Sequence, residues 1–277
     1  MKAVVLSDNR KTMPDFETEH GLSIYLETNG LKILLDTGGS DLFLQNAVKL
    51  NIDLRTVDNV FISHGYIDHI GGLSHFLRVN SKAKILLSQN AIIHKFYSKR
   101  NGNREIGLSF DFKRDANRLV YVDNEFRLDN GIYVFANTTS VFNQPLANQM
   151  LFCRSEDGEV LSDIFSHELI FTIDDGELIV YIGCAHHGLL NMLETVKEKS
   201  SRPIQWVIGG YHILDSKDGQ CYESEFEIKN LAEYIINKYP DVTFYTGHCT
   251  VDEVFRSMKK ILNGSLNQFY VGSSIQN

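Results

Sequence analysis

Ser63-His64-Gly65-Tyr66-Ile67-Asp68-His69-Ile70-Gly71-Gly72 follows an apolar run, Val60-Phe61-Ile62, and leads into a short helical stretch. The run reads as a buried strand. In extended chain the side chains alternate, so His64 and Tyr66 point the same way. If a turn then opens a helix, Asp68 and His69 stand in its first turn. Imidazole and carboxylate converging there are suitable ligands for a divalent metal ion. The helix N-terminus also favours a hydroxide or an anionic substrate. A single His-Asp-His cluster is equally compatible with a decorated surface loop.

The pattern recurs, which changes its weight. Ile182-Gly183-Cys184-Ala185-His186-His187-Gly188 ends one apolar run and opens a helical pattern. Tyr245-Thr246-Gly247-His248-Cys249-Thr250 does the same, and Ile208-Gly209-Gly210-Tyr211-His212 ends a further run. Four strand ends therefore carry histidine, and in α/β sheets ligands gather at the carboxyl ends of strands.

Outward from these motifs, ten apolar runs read as strands: 3–6, 22–27, 32–35, 60–63, 85–88, 132–135, 168–172, 178–183, 204–209 and 242–246. Helical patterns fall between them at 41–50 and 189–196. Another runs over 226–239 with Pro240 as its stop. In a last one Val251, Val254, Phe255, Met258 and Leu262 share a face, and Thr250 with Glu253 predicts a capping box. The first part is rich in β structure and the remainder alternates, which predicts a layered α/β fold. Residues 99–118 and 137–148 read as loops, either rims of an active site or plain surface. No fixed-period repeat or low-complexity tract is present.

Composition narrows the function. The 277 residues carry 27 Lys+Arg against 35 Asp+Glu, a net charge of −8 without a basic block, which argues against nucleic acid and anionic membranes as partners. No stretch approaches the roughly 20 apolar residues of a membrane span. The N-terminal apolar run ends at Leu6, too short for a secretory signal core. Four cysteines without a Cys-x-x-Cys pair predict reduced thiols in a cytosol.

At this point the chain resembles the metallo-β-lactamase fold superfamily. The closer similarity is to the subgroup named after 7,8-dihydropterin-6-methyl-4-(β-D-ribofuranosyl)aminobenzene-5'-phosphate synthase. The resemblance covers nearly the whole chain. It is carried by Glu19-His20-Gly21-Leu22-Ser23, Leu35-Asp36-Thr37-Gly38 and the Ser63–Gly72 motif. Further carriers are Asp163 followed by Glu168-Leu169, and the motifs ending in His186, His212 and at Thr250. It implies an αββα sandwich spanning residues 1–277 as one domain, where length alone, at roughly 150 residues per domain, suggests two. It also implies water activation by one or two divalent metal ions, zinc first, with iron or manganese as alternatives.

The superfamily motif is His-x-His-x-Asp-His, and here the second histidine is Tyr66. By resemblance, His64, residue 66 and His186 would hold the first metal, and Asp68, His69 and His248 the second. His212 would complete or bridge the two. A phenol with a pKa of roughly 10 must lose its proton to ligate well. Tyr66 therefore ligates as phenolate, or hydrogen-bonds the metal's water, or leaves the first site weak. The second outcome is the expected one, with the Asp68/His69/His248 site filling more tightly.

Among the rest, Asp36 is expected both to buttress the metal loop and to cap a turn. His20 reads either as facing the site or as structural, and His187 as beside the ligands or facing solvent rather than a ligand itself. Cys184 and Cys249 read as small packing residues rather than ligands. His75, His94 and His167 read as bystanders. The expected function is that of a hydrolase-like enzyme on a small ester- or phosphate-containing molecule, with transferase chemistry as the subgroup's variant. Asp68 would orient the nucleophile, and Tyr66 or His212 would meet a developing oxyanion. Competing readings are a metal- or ligand-binding sensor and an iron-dependent redox enzyme. A homo-oligomer is compatible with all of them.

Overall fold

The computed structural model describes residues 1–128, 131–154, 158–216 and 219–276. Two seven-stranded sheets form its centre. The first runs, in spatial order, Ser274–Gln276, Lys2–Ser7, Ser23–Thr28, Leu31–Leu35, Asn59–Phe61, Lys84–Leu87 and Leu119–Tyr121. The second runs Leu266–Gln268, Thr243–Thr246, Ile204–Ile208, Leu178–Tyr181, Ile170–Asp174, Ile132–Phe135 and Glu125–Leu128.

Each central strand is buried on both faces, and the alternation assigns its side chains to layers. In Leu31–Leu35, Ile33 and Leu35 enter the core between the sheets while Leu34 faces the outer helices. In Leu178–Tyr181, Ile179 and Tyr181 enter that same core while Leu178 and Val180 pack on the opposite helices. The helix Leu42–Lys49 buries Phe43 and Ala47 against the first sheet. Helices Leu189–Lys199, Glu225–Lys238 and Asp252–Leu262 bury Leu193, Ala232 and Met258 against the second. This is the αββα sandwich. No helix among the described residues is long and apolar enough to cross a membrane.

All ten expected strands form, with ends displaced by a residue or two. Two local readings need correction. The helix Asp252–Leu262 has no side-chain cap, because the Thr250 hydroxyl is taken inside: it pairs with Thr246 Oγ1 at 2.7 Å and accepts from Tyr211 N at 3.0 Å. The real capping box closes Glu225–Lys238, where Ser224 Oγ accepts from Glu227 N and Glu227 Oε2 accepts from Ser224 N. The polar stretch 99–118 also contains a strand, Arg104–Glu105. It joins Lys95–Ser98, Leu151–Arg154 and Val160–Ser162 in a four-stranded sheet. That small sheet is tied to the motif through Ile67 N, which donates to Ile106 O at 2.6 Å.

The parallel register sets the site. Leu35 lies beside Phe61, and Ile208 lies between Tyr181 and Tyr245. The chain leaves these strands at one end of the sandwich. It turns there through left-handed backbone at Asp36 (φ 55°), Ala185 (φ 53°), His212 (φ 51°) and His248 (φ 45°). Such conformations in non-glycine residues cost on the order of 1–3 kcal/mol each and cluster at functional sites. Gly183 (φ 55°) serves the same edge, since a Cβ there would stand 2.4 Å from Ser63 Oγ.

Candidate metal centre

One buried carboxylate organises the floor of the site. Asp36 is fully buried; its Oδ1 accepts from Ser63 N at 2.7 Å. Its Oδ2 accepts from Ser63 Oγ, His69 Nδ1 and Tyr181 OH, each at 2.6 Å. Burial first, then the neighbouring Asp36 charge, pushes the Tyr181 phenol well above its usual range, so it stays a donor. Because the Ser63 hydroxyl spends its proton on Asp36, the 2.8 Å contact between Ser63 Oγ and His64 Nδ1 makes His64 Nδ1 the donor.

The remaining imidazoles repeat that arrangement. His186 Nδ1 is held by Asn148 Oδ1 at 3.2 Å, and His248 Nδ1 by Asn9 Oδ1 at 3.1 Å. Each ring therefore has its Nδ1 tethered and its Nε2 turned inward, as metal-binding histidines do. His64 Nε2, His186 Nε2 and both ring nitrogens of His212 are buried without a partner. Burial, then the adjacent imidazoles, pushes His64 and His186 well below the ordinary histidine range, so both are neutral near pH 7.

The other half of the cluster is charged. Asp68 Oδ2 lies 3.2 Å from His248 Nε2, 3.8 Å from His69 Nε2 and 3.3 Å from His20 Nε2. His69 Nε2 and His248 Nε2 approach to 3.1 Å, a distance two lone pairs tolerate only around a proton or a cation. Burial opposes a charge on His248, but the Asp68 hydrogen bond and the nearby Cys249 and Asp8 lift it to about 9. Burial would raise Asp68; the hydrogen bond from His248 and the histidines around it pull it well below the usual carboxylate range.

This geometry fits divalent ions. Four orphaned imidazole nitrogens sit beside a carboxylate–histidine set that already demands positive charge. Ligand atoms of His64, Glu168 and His186, and of His20, Asp68 and His248, each lie within 4.8 Å of one another. The structure thus brings together His64, Asp68, His69, His186, His212 and His248, with His186 and His212 rings 4.2 Å apart. His20 joins them, whereas His75 and His94 belong to none of these groups.

Tyr66 lines the same cavity, but its hydroxyl donates to Asp163 Oδ2 at 2.9 Å. Burial and the Asp163 charge raise its pKa well above 10, so neither a phenolate nor a donor proton facing a metal's water is what this side chain offers. His167 is part of that arrangement rather than a bystander. Its Nδ1 accepts from Gly65 N at 3.0 Å, which leaves Nε2 to donate to Asp163 Oδ2 at 3.1 Å.

Three residues had stronger roles than their local sequence showed. Glu168 is fully buried and accepts from His186 N and His187 N at 2.7 and 2.8 Å, fixing the turn that presents His186. Of the two places open to His187, the structure puts it on Glu168, with Nδ1 2.7 Å from Glu168 Oε2. Cys184 is central rather than peripheral packing: its Sγ lies 3.1 Å from His69 Nε2, and it falls within ligand distance of His64, His186 and His212. Cys249 Sγ accepts from His212 N at 3.3 Å. The available signal was position alone: Cys184 follows the same strand end as His186.

Above this floor lies a cavity of ≈ 310 Å³. Its far wall comes from the small sheet and carries Ser98, Arg100, Arg104 and Ile106.

The family model described as the metallo-β-lactamase superfamily matches residues 17–120. An uncharacterized protein of Methanocaldococcus jannaschii is 27% identical over 97% of this chain and 96% of its own. From the same organism, 7,8-dihydropterin-6-methyl-4-(β-D-ribofuranosyl)-aminobenzene-5'-phosphate synthase is 28% identical over 85% of this chain and 82% of its own. Among solved structures, a metal-dependent hydrolase of the β-lactamase superfamily superimposes with a TM-score of 0.83 at 28% identity, covering 100% of this chain and 99% of the other. A metallo-β-lactamase fold protein of Bacillus subtilis shares the fold at a TM-score of 0.56 and 12% identity, again over 100% and 99%.

Proposed function

For this chain, whose residues 17–120 match the metallo-β-lactamase superfamily model and whose fold is that of a metal-dependent hydrolase of the superfamily, we propose the activity of a metal-dependent enzyme that directs water at a small ester- or phosphate-bearing substrate. The observation that carries this reading is the gathering of the His64, His186 and His212 imidazoles, with buried unpartnered nitrogens, beside the Asp68/His69/His248 set. One or two divalent ions held there, zinc first, would lower the pKa of water to about 7 and polarise the substrate's carbonyl or phosphoryl oxygen.

The chain's own groups do the remainder. Asp36 fixes His69, and through Ser63 also His64, so that both rings are oriented before substrate arrives. Asp68 faces the cavity and is placed to orient the attacking water. His212 either completes the ligand set or hydrogen-bonds the developing oxyanion. Arg100 is held by Asp215 Oδ1 at 2.5 Å and, with Arg104, supplies positive charge over a strongly acidic protein. These arginines select substrates with a phosphate or carboxylate group. The residues 1–277 act in this reading as a single unit.

The 28% identical relative named as a synthase supports a second form of this reading, a transferase on the same metal centre. Elemental analysis of dialysed protein, paired with turnover on phosphoester, thioester and lactone panels, tests the proposal. Bound transition metal together with turnover lost in Asp68→Asn is the expected result. Protein that holds no transition metal at all would overturn the metalloenzyme reading in either form.

A further inference from the structure

The segments 211–214 and 146–147 form a wall with two faces. His212, Leu214 and Ala147 line the cavity above the metal centre, while Tyr211, Ile213 and Leu146 line a second cavity of ≈ 340 Å³ behind it. The second cavity lies between the start of helix Leu189–Lys199, the helix Glu225–Lys238 and the loop 142–146. Its volume falls in the range of small-molecule sites, roughly 300–1,000 Å³.

The cavity is preformed. Asn191 holds the loop by accepting from Val141 N and Phe142 N at 2.9 and 2.7 Å and donating to Phe142 O at 2.8 Å. Phe142 and Tyr234 meet edge to face, with centroids 5.2 Å apart, and Leu190 and Leu231 complete an apolar lining.

Its polar chemistry is one-sided. The charged side chains in the lining are Glu223 and Glu227, with no lysine or arginine among them. Glu227 Oε2 is engaged by the Ser224 backbone and hydroxyl at 2.7 and 2.6 Å. Glu223 differs: Oε1 accepts from Leu146 N at 2.7 Å, but Oε2 is buried without a partner. An unmet buried carboxylate oxygen costs about 1–3 kcal/mol or more, a penalty that a matching donor would relieve.

We propose that this second cavity binds a compact organic cation with a flat apolar body, an arylamidinium or arylammonium, whose N–H groups meet Glu223 Oε2 while its ring packs against Leu190, Leu231 and the joined Phe142–Tyr234 pair. An aromatic lining beside a carboxylate favours such a cation on both counts. The site is separate from the metal centre and does not depend on the enzymatic reading.

Methyl NMR of the full chain labelled at leucine and isoleucine, titrated with benzamidine, tests it. Methyls of Leu190, Leu231 and Ile213 should move saturably, ahead of Leu151 and Leu214 in the first cavity. Benzamide, the neutral analogue, should bind at least tenfold more weakly, as should benzamidine to Glu223→Gln; Leu231→Trp, which fills the cavity, should abolish the shifts. The benzamide comparison uses the unaltered protein and so decides the question even where a variant fails to fold. No saturable movement, equal response to both probes, or first movement at Leu151 and Leu214 would overturn the proposal.

Discussion

The two halves of the histidine cluster are built on opposite electrostatic plans. Around Asp68, His69 and His248 the inward nitrogens already have partners at 3.1 to 3.8 Å, and a proton on His248 occupies the place of a cation. Around His64 and His186 the inward nitrogens are neutral and unpartnered. The first half is assembled by charge before any ion arrives; the second waits for one. The largest way to break the comparison is therefore Asp68→Asn. It should remove the tighter ion and lower kcat/KM by more than the ~100-fold expected for an outer partner, as read by metal content and steady-state kinetics. Retained tight binding would show that charge at Asp68 is not what assembles that half.

Asp36→Asn addresses what the halves share. An amide cannot accept from Ser63, His69 and Tyr181 together, so His69 and the Ser63–His64 link lose their anchor at once. Metal affinity should fall about 10–100-fold at both halves. Stability should fall by about 2–3 kcal/mol, or roughly 5–10 °C in Tm for a chain of this size. Calorimetric zinc titration and thermal melting measure the two effects. Loss confined to one half would mean that Asp36 does not unite them.

The halves should also answer pH in opposite directions in metal-free protein. His248 has a folded pKa raised to about 9. Its contribution is fully present below the unfolded value of roughly 6.5 and fades as pH rises through 9, by up to about 3 kcal/mol. His64 and His186 have folded values pushed down, so the unfolded chain binds protons more readily and stability falls as pH drops below roughly 6.5. Chemical denaturation across pH 5 to 9.5 should give a maximum between these limbs. Saturating zinc should flatten the alkaline limb, because the ion replaces the His248 proton. A zinc-insensitive alkaline limb would remove His248 from the metal set.

How far the sequence could carry this depended on whether a signal was local. The central strands were legible because residues such as Val180 and Leu34, buried on both faces, make unbroken apolar runs. The strand-end histidines were legible because each follows such a run. The small sheet was not: Lys95–Ser98 is short and mixes charged with apolar residues, Arg104–Glu105 is two charged residues, and only pairing with Leu151–Arg154 and with each other makes them strands. His167 and Glu168 were obscured for a related reason. Their partners, Asp163, Gly65 and His186, come together only after the sandwich closes. Cys184 carries the residue type of a packing side chain, and only its position at the strand end of His186 hinted at its place among the imidazoles.

Tyr66 gives the subtlest test of the comparison, because it stands where the superfamily motif has an imidazole yet belongs to the tethering layer. Its ring packs 5.0 Å from both His64 and His186 while its proton goes to Asp163, so it encloses the weaker half without offering a ligand. Zinc titration of the unaltered chain should therefore show two steps, the tighter at Asp68/His69/His248. Tyr66→His should strengthen the weaker step by about tenfold or more, since it adds a neutral imidazole to that half. Tyr66→Phe keeps the ring contacts and removes only the hydroxyl. Asp163 still accepts from His167 and Phe165 N, so stability should fall by only about 1 kcal/mol with both zinc steps unchanged. Two equally tight steps in the unaltered protein, or loss of a step in Tyr66→Phe, would make Tyr66 a ligand after all, and the difference between the halves would have to lie elsewhere.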